Sequence, residues 1–485
     1  MEHGDDSILV DGRSLRCEDV VAVGRKGTRA RVDDAARQRA KNAHEVAESV
    51  AQRRAVYGQT TGVGANKQHI VDIDAGDDHG LRLVRSHAGG VGPLLASDHV
   101  RAALVIRLNQ LAAGGSGVHP QVLDSLEQAI RSGAVPAVHR VGAVGTGDLA
   151  ALAEIALALA GERPWGGTGE VAPIQFGSSD ALAFMSSNAV TLAEAAFACA
   201  DLQASVRASH AIAALSFLAL GASPESFAAP PQQARNLPGQ ASCAAEMRRL
   251  LGIGRVPLEA RRIQDPFSLR AYAPVHGAAL DSLTSLENVL ETEINARSEN
   301  PLIDVDSADV FHNANFHTAH VTLALDQARA AIYQVAELSA ARLASLNEPT
   351  MTGLQPFLTS GPPGASGAMI LEYVAHDALA QARLTAAPVN LGNAVISRGV
   401  EDHATFATQA ARQSTSTVHS FRYVLACELV AGVRALRLQG ADLSNRPVRT
   451  AWERATVVLD PALEDRSLSD DVERAAALIP ELADL

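Results

Sequence analysis

An all-α architecture is predicted by three features of the sequence. Aromatic residues make up only 4% of the 485 positions, alternating strand-like patterns are scarce, and long runs of Ala, Leu and Val repeat at helical spacing. Apolar faces built from such small and medium side chains pack as a long helical bundle, and bundles of this size often bury further apolar surface by oligomerising.

The elements follow in order. Residues 1–56 read as short extended pieces and then a polar helix over Val32–Val56, rich in Ala, Arg and Glu. The segment Val56-Tyr57-Gly-Gln-Thr-Thr-Gly62-Val-Gly64 breaks that pattern with three glycines and places Tyr57 on a loop. Val100, Leu104, Leu108 and Leu111 line one face of Val100–Ala113 while Arg101 and Arg107 fall elsewhere, which predicts an amphipathic helix. A Gly-rich turn, Gly142-Ala-Val-Gly145-Thr146-Gly147, runs into a helix over Asp148–Ala160, whose N-terminus offers unpaired N–H groups and a positive potential. More helices are predicted over Asp180–Phe217, Leu280–Ile294, Ala319–Leu346, Ala368–Leu384 and Gln409–Leu438. Gly161–Ser179, Gly221–Gln240 and Glu348–Gly367 read as turn-rich connectors. The domain reading is 1–205 as a part carrying the loops and 206–485 as a helical bundle.

Bulk properties narrow the function. A net charge of −13, from 41 basic and 54 acidic residues, argues against nucleic-acid or anionic-membrane partners. The four cysteines form no CxxC pair and read as reduced packing residues. The first residues are acidic where a signal peptide is basic, and no uninterrupted apolar run reaches membrane-spanning length, so a cytoplasmic location is expected.

Polar clusters punctuate the helices: Arg85-Ser86-His87, Arg262 to Arg270 with Gln264, Asp265 and Phe267, His312 to His317 with Asn313, Asn315 and Phe316, and Glu401-Asp402-His403. Each has a plain alternative. On its own His87 reads first as a capped structural histidine, Arg270 equally as the ion-pair partner of Asp265, and Glu401 to His403 as a solvated turn. His312 and His317 lack the i, i+4 spacing and further ligands of a metal site, so no metal is predicted. Gly142–Gly147 follows no clear strand and is a weak match to a dinucleotide fingerprint.

Taken together and in order, nine stretches resemble the histidine/phenylalanine ammonia-lyase family. They are VYGQTTGVG, SHAGGVGPLL, RLNQLAAGGSGV, GAVGTGDLAALAE, RNLPGQ, QDPFSLRAYAPVHG, EINARSENPLI, NANFH and VEDHA. The resemblance implies an almost wholly helical homotetramer with active sites shared between subunits, acting on a small amino-acid-like substrate. It implies that Tyr57 removes the β-proton or relays it, His87 contacts the substrate side chain and Arg270 binds the α-carboxylate. Gln264 and Asn315 would add polar contacts, Phe316 would wall the pocket, and Glu401 would face the amino or imidazole end.

Three positions depart from the family pattern. The family forms a methylidene-imidazolone (MIO) electrophile from Ala-Ser-Gly, within Gly-Ser-Val-Gly-Ala-Ser-Gly-Asp-Leu. Here the loop is one residue shorter and reads Gly145-Thr146-Gly147, so the electrophile is expected not to form. The expected asparagine of Leu-Ile-Asn-Gly-Thr is Ser186, with Asn188 two residues on, and the tyrosine expected after Gln-Asp-Pro is Phe267.

These changes predict β-elimination without the electrophile. The substrate would be a histidine-betaine-like compound that expels a pre-activated amine such as trimethylamine, helped by Tyr57, Glu401 and the Thr146 hydroxyl. Tyr57 is then expected to have a lowered pKa, and Phe267 and Phe316 to offer aromatic faces to a quaternary nitrogen. An isomerase, cyclase or conjugate-addition enzyme and a non-catalytic binding homologue are the alternatives. The fumarase/aspartase group is set aside because its Gly-Ser-Ser-x-Met-Pro loop is missing.

Overall fold

The computed structural model describes residues 7–71, 78–255 and 259–485. The described chain is mostly helical, as the composition predicts, and it forms two compact units. The first comprises residues 1–200, 287–325 and 388–412, and the second residues 201–286, 326–387 and 413–485.

In the first unit, helix Asp34–Ala51 starts at Asp33, whose side chain accepts the Ala35 and Ala36 N–H groups. Its Ala43, Ala47 and Val50 pack with Val56 against Ile303 and Val310 of the hairpin Leu302–Asp304/Asp309–Phe311. That contact fixes the start of the Tyr57 loop. Helix Ser97–Ala112 is not amphipathic: every residue from Ala102 to Ala112 is buried, Arg107 included. Arg107 is tolerated there because its guanidinium meets Glu299 at 3.0 Å and the Phe184 carbonyl at 2.9 Å.

The helix expected over Asp180–Phe217 is two helices, Ala181–Met185 and Ala189–Leu220, broken at Ser186–Asn188. Ser187 Oγ caps the second by accepting the Ala189 N–H at 3.0 Å. By length and mean hydropathy the stretch Ala181–Leu220 is apolar enough to cross a bilayer, but polar residues interrupt it and its apolar window is wholly buried within the chain. The strands are three or four residues long and pair two by two: Ile8–Val10 with Ala30–Val32 in parallel, and Val91–Leu94 with His139–Val141 and Ala134–Pro136 with Trp165–Gly167 antiparallel.

In the second unit, the stretch expected as a connector, Gly221–Gln240, holds helix Ala229–Arg235 and the start of helix Pro238–Leu251. Pro230 and Pro238 sit in first turns, where a missing N–H costs nothing. The unit's buried centre is polar as well as apolar. Arg342 and Glu428 pair at 2.6 and 2.8 Å with no exposure, and Ser216 and Ser339 complete the carboxylate's hydrogen bonds. The four cysteines are free and buried.

Candidate active site

The loop after helix Asp34–Ala51 turns back on itself, so that Tyr57 Oη accepts the Gly64 N–H at 2.6 Å. Gly64 has φ +57, and a Cβ there would lie 2.3 Å from Ser397 Oγ and 3.5 Å from Glu401 Oε1, so only glycine lets this loop close on the Glu401 segment. Ser397 Oγ accepts the Ala65 N–H at 3.0 Å. Tyr57 and Glu401 thereby open onto one cavity of about 650 Å³, together with Thr146, Ser186 and Phe316.

The same cavity is lined by Lys67, His312, Asn300 and Asn313, which the sequence did not single out for this role. His312 stood out only as a metal candidate. Its Nε2 instead accepts the Tyr57 N–H at 3.2 Å, and partial burial lowers its pKa, so the ring is held neutral. Asn313 Nδ2 donates to the Glu299 carbonyl at 2.9 Å, and its Oδ1 accepts the Asn315 N–H at 2.8 Å. Asn315 itself is exposed and does not line the cavity. Lys67 lies three residues beyond the Gly-rich run that ends at Gly64, and that position was its only signal.

Ser186 Oγ accepts the Asn300 N–H at 3.0 Å. Asn188 bridges two parts of the wall: its Oδ1 accepts the Gly147 N–H at 3.0 Å and its Nδ2 donates to the Phe316 carbonyl at 2.6 Å. The other predicted contacts lie elsewhere. His87 ends helix Asp78–His87 with Nδ1 2.9 Å from the Leu83 carbonyl, and it is not among the cavity's residues. Gln264, Phe267 and Arg270 belong to the second unit and are exposed. Arg270 is not paired with Asp265, which is held instead by Arg262 at 2.8 Å, and its guanidinium lies 4.4 Å over the Phe267 ring.

The Tyr57 phenol does not have the lowered pKa the sequence led us to expect. Burial raises it above its ordinary value and the Glu401 carboxylate raises it further, while the Gly64 N–H acts in the opposite direction. Asp148, which opens helix Leu149–Leu159, is buried and pushed up to about 6. The Thr191 N–H and hydroxyl, each 2.7 Å from one of its oxygens, oppose that rise.

The loop between Gly145 and Gly147 does not fit the precursor of a self-made electrophile. It has no serine, and a Cβ on Gly145 would lie 2.1 Å from Thr405 Oγ1 and 2.6 Å from the Ala407 nitrogen, so no alanine fits before Thr146.

The helical scaffold brings a tyrosine and a carboxylate to one cavity beside a glycine-rich helix entry, and comparison with known proteins assigns this scaffold to the carbon–nitrogen lyases. The model of the aromatic amino acid lyases matches residues 15–456, and the chain belongs to that family. It is 34% identical to the histidine ammonia-lyase of Geobacillus kaustophilus over 454 residues, 90% of each chain. It is 33% identical to that of Symbiobacterium thermophilum over 96% of each. Among solved structures, the ergothionase of Treponema denticola, in complex with desmethyl-ergothioneine sulfonic acid, superposes with a TM-score of 0.93 at 26% identity, covering 99% of this chain and 100% of that one. The tyrosine aminomutase of Streptomyces globisporus gives 0.90 at 27% identity, covering 98% and 97%.

Proposed function

We propose that this lyase eliminates a tertiary amine, trimethylamine in the simplest case, from the betaine of a histidine-like amino acid, without a self-made electrophile. The carrying observation is that Tyr57 and Glu401 share a cavity with Thr146, in a loop that does not fit the electrophile's precursor. In relatives the electrophile captures the amine and makes it leave. A quaternary ammonium is already a cationic leaving group and has no N–H for the base to take first. The Tyr57 phenolate takes the β-proton, the Cβ–H pair becomes the Cα=Cβ bond, and the Cα–N pair departs with trimethylamine, leaving an α,β-unsaturated acid. The Gly64 N–H steadies the phenolate, Glu401 and Phe316 face the cationic groups, and Ser186 and Asn188 hold the wall.

The remaining contacts come from a homotetramer with shared sites. In it His87, Gln264, Phe267, Arg270 and Asn315 reach the substrate, Arg270 taking the carboxylate through its planar fork. Exposure of Gln264, Phe267 and Arg270 on their own chain supports this reading, as does the likeness to ergothionase, an ergothioneine-degrading enzyme with desmethyl-ergothioneine sulfonic acid bound. A cytoplasmic location accords with the charge and the buried thiols.

Incubation of the purified protein with histidine betaine, ergothioneine and L-histidine tests the proposal. We expect trimethylamine from a betaine, loss of that turnover in Tyr57→Phe, and an intact mass with no deficit of two waters. Ammonia from L-histidine with no reaction of the betaines overturns it. The likeness to an aminomutase favours one second reading, in which the amine migrates to Cβ; a saturated β-substituted product without free amine would establish it.

A further inference from the structure

Thr146 sits between two glycines with φ +83 and +108, backbone conformations that by themselves give a loop wide freedom. Both flanking peptide groups are nevertheless pinned by side chains. The Gly145 carbonyl accepts the hydroxyls of Thr318 and Thr405, each at 2.7 Å, and the Gly147 N–H is held by Asn188. Thr318 and Thr405 are 1% and 4% exposed, so water does not compete for that carbonyl. The two hydroxyl oxygens lie 3.1 Å apart; with both protons spent on Gly145, that approach is not a third hydrogen bond. Thr405 is itself fixed, because the next residue, Phe406, donates its N–H to the Val144 carbonyl at 2.8 Å and holds φ +56, a strained conformation for a phenylalanine. The clamp and the glycine presuppose one another, since a Cβ on Gly145 would overlap Thr405 Oγ1.

We propose that Thr318 and Thr405 are positioning residues: their two hydroxyls on one carbonyl set where Thr146 presents itself in the cavity. The inference rests on the reading of that cavity as the active site. Two donors occupy both lone pairs of the Gly145 oxygen and fix the plane of the Gly145–Thr146 peptide. In a buried setting they also polarise that peptide, which makes its Thr146 N–H a stronger donor. The clamp thus supplies rigidity to a loop that its own residues leave free.

The test uses Thr318→Val, Thr405→Val, the double variant and Thr405→Ser, each with two readouts. The first is the alkylation rate of a reporter thiol, Thr146→Cys, by iodoacetamide, which needs no substrate; the four native cysteines are buried. The second is kcat and KM for betaine elimination in the Thr146 background. We expect each valine to raise the alkylation rate about fivefold and to lower kcat about tenfold, with KM changed less than about twofold. Thr405→Ser, which keeps the hydroxyl, restores both to within about twofold. Overturning results are alkylation and kcat unchanged in the double variant, or a loss of kcat that follows a lower melting temperature while alkylation stays constant. Should the wild-type protein turn over no betaine, the functional reading fails, and the alkylation rates still decide for or against the clamp.

Discussion

Asp148 offers a quantitative handle on the loop. Its folded-state pKa of about 6 stands against 3.8 for a free aspartate, and the difference of roughly two pH units is worth about 3 kcal/mol at about 1.4 kcal/mol per unit. The sign follows from proton linkage. Between the two values the folded chain keeps a proton that the unfolded chain has released, so this contribution is fully present below about pH 4 and is lost as pH rises through about 6. Asp148→Asn removes the titration and keeps the shape. Thr191 Oγ1, 2.8 Å from Thr408 Oγ1, turns to donate to Thr408 and to accept from the new amide, so no hydrogen bond is lost. Relative to wild type, the variant gains about 3 kcal/mol between pH 4 and 7, a few degrees of melting temperature. Calorimetric scans of both proteins across that window measure the difference directly. A melting-temperature difference that does not vary with pH would refute the reasoning.

Four further expectations concern the same unit. Arg107→Met strips a fully buried carboxylate of its partner, and Glu299 Oε2 already has none, so a loss of about 3–5 kcal/mol is expected in denaturant unfolding. The Arg107→Met/Glu299→Leu pair is expected to lose less than Arg107→Met alone, and equal losses would contradict this account. Glu401→Gln removes a charge that raises the Tyr57 phenol, so ionisation of that phenol, read by ultraviolet titration against Tyr57→Phe, moves to lower pH; an unmoved midpoint disproves the coupling. In the wild type, where a phenolate is needed and its pKa is raised, kcat/KM for betaine elimination climbs with pH throughout the alkaline range rather than levelling near neutrality. Gly145→Ala combines positive φ with the Thr405 overlap, and its melting point drops by the equivalent of at least about 1–3 kcal/mol.

The helices were largely legible because small apolar side chains repeating at helical spacing are a local signal. Observed Ala319–Asn347 and Ala407–Leu438 match the predicted Ala319–Leu346 and Gln409–Leu438 to within two residues at each end. The reading failed where a distant partner decides the outcome. Arg107 is polar by sequence, yet Glu299, far along the chain, allows it a place at the centre of a buried helix. The break at Ser186–Asn188 follows from hydrogen bonds to Asn300, Gly147 and Phe316, and residues of those types are also found inside helices. Strands of three residues are too short to show alternation. In the cavity, Tyr57, Thr146, Ser186, Phe316 and Glu401 were reached through the family resemblance, whereas Lys67, His312, Asn300 and Asn313 follow only from the way the loops fold back. The Tyr57 pKa was misjudged because burial and Glu401 outweigh one N–H donor.

The cavity wall is assembled from segments near residues 57, 146, 186, 312 and 401, so its last polar group is translated long after its first. A ribosome must deliver more than four-fifths of the chain before Glu401 exists, and contacts of such sequence separation form late and slowly. During synthesis the Tyr57 loop therefore waits without the Ser397–Glu401 segment it packs against. N-terminal fragments ending before that segment would carry the base and the glycine-rich turn without a closed pocket.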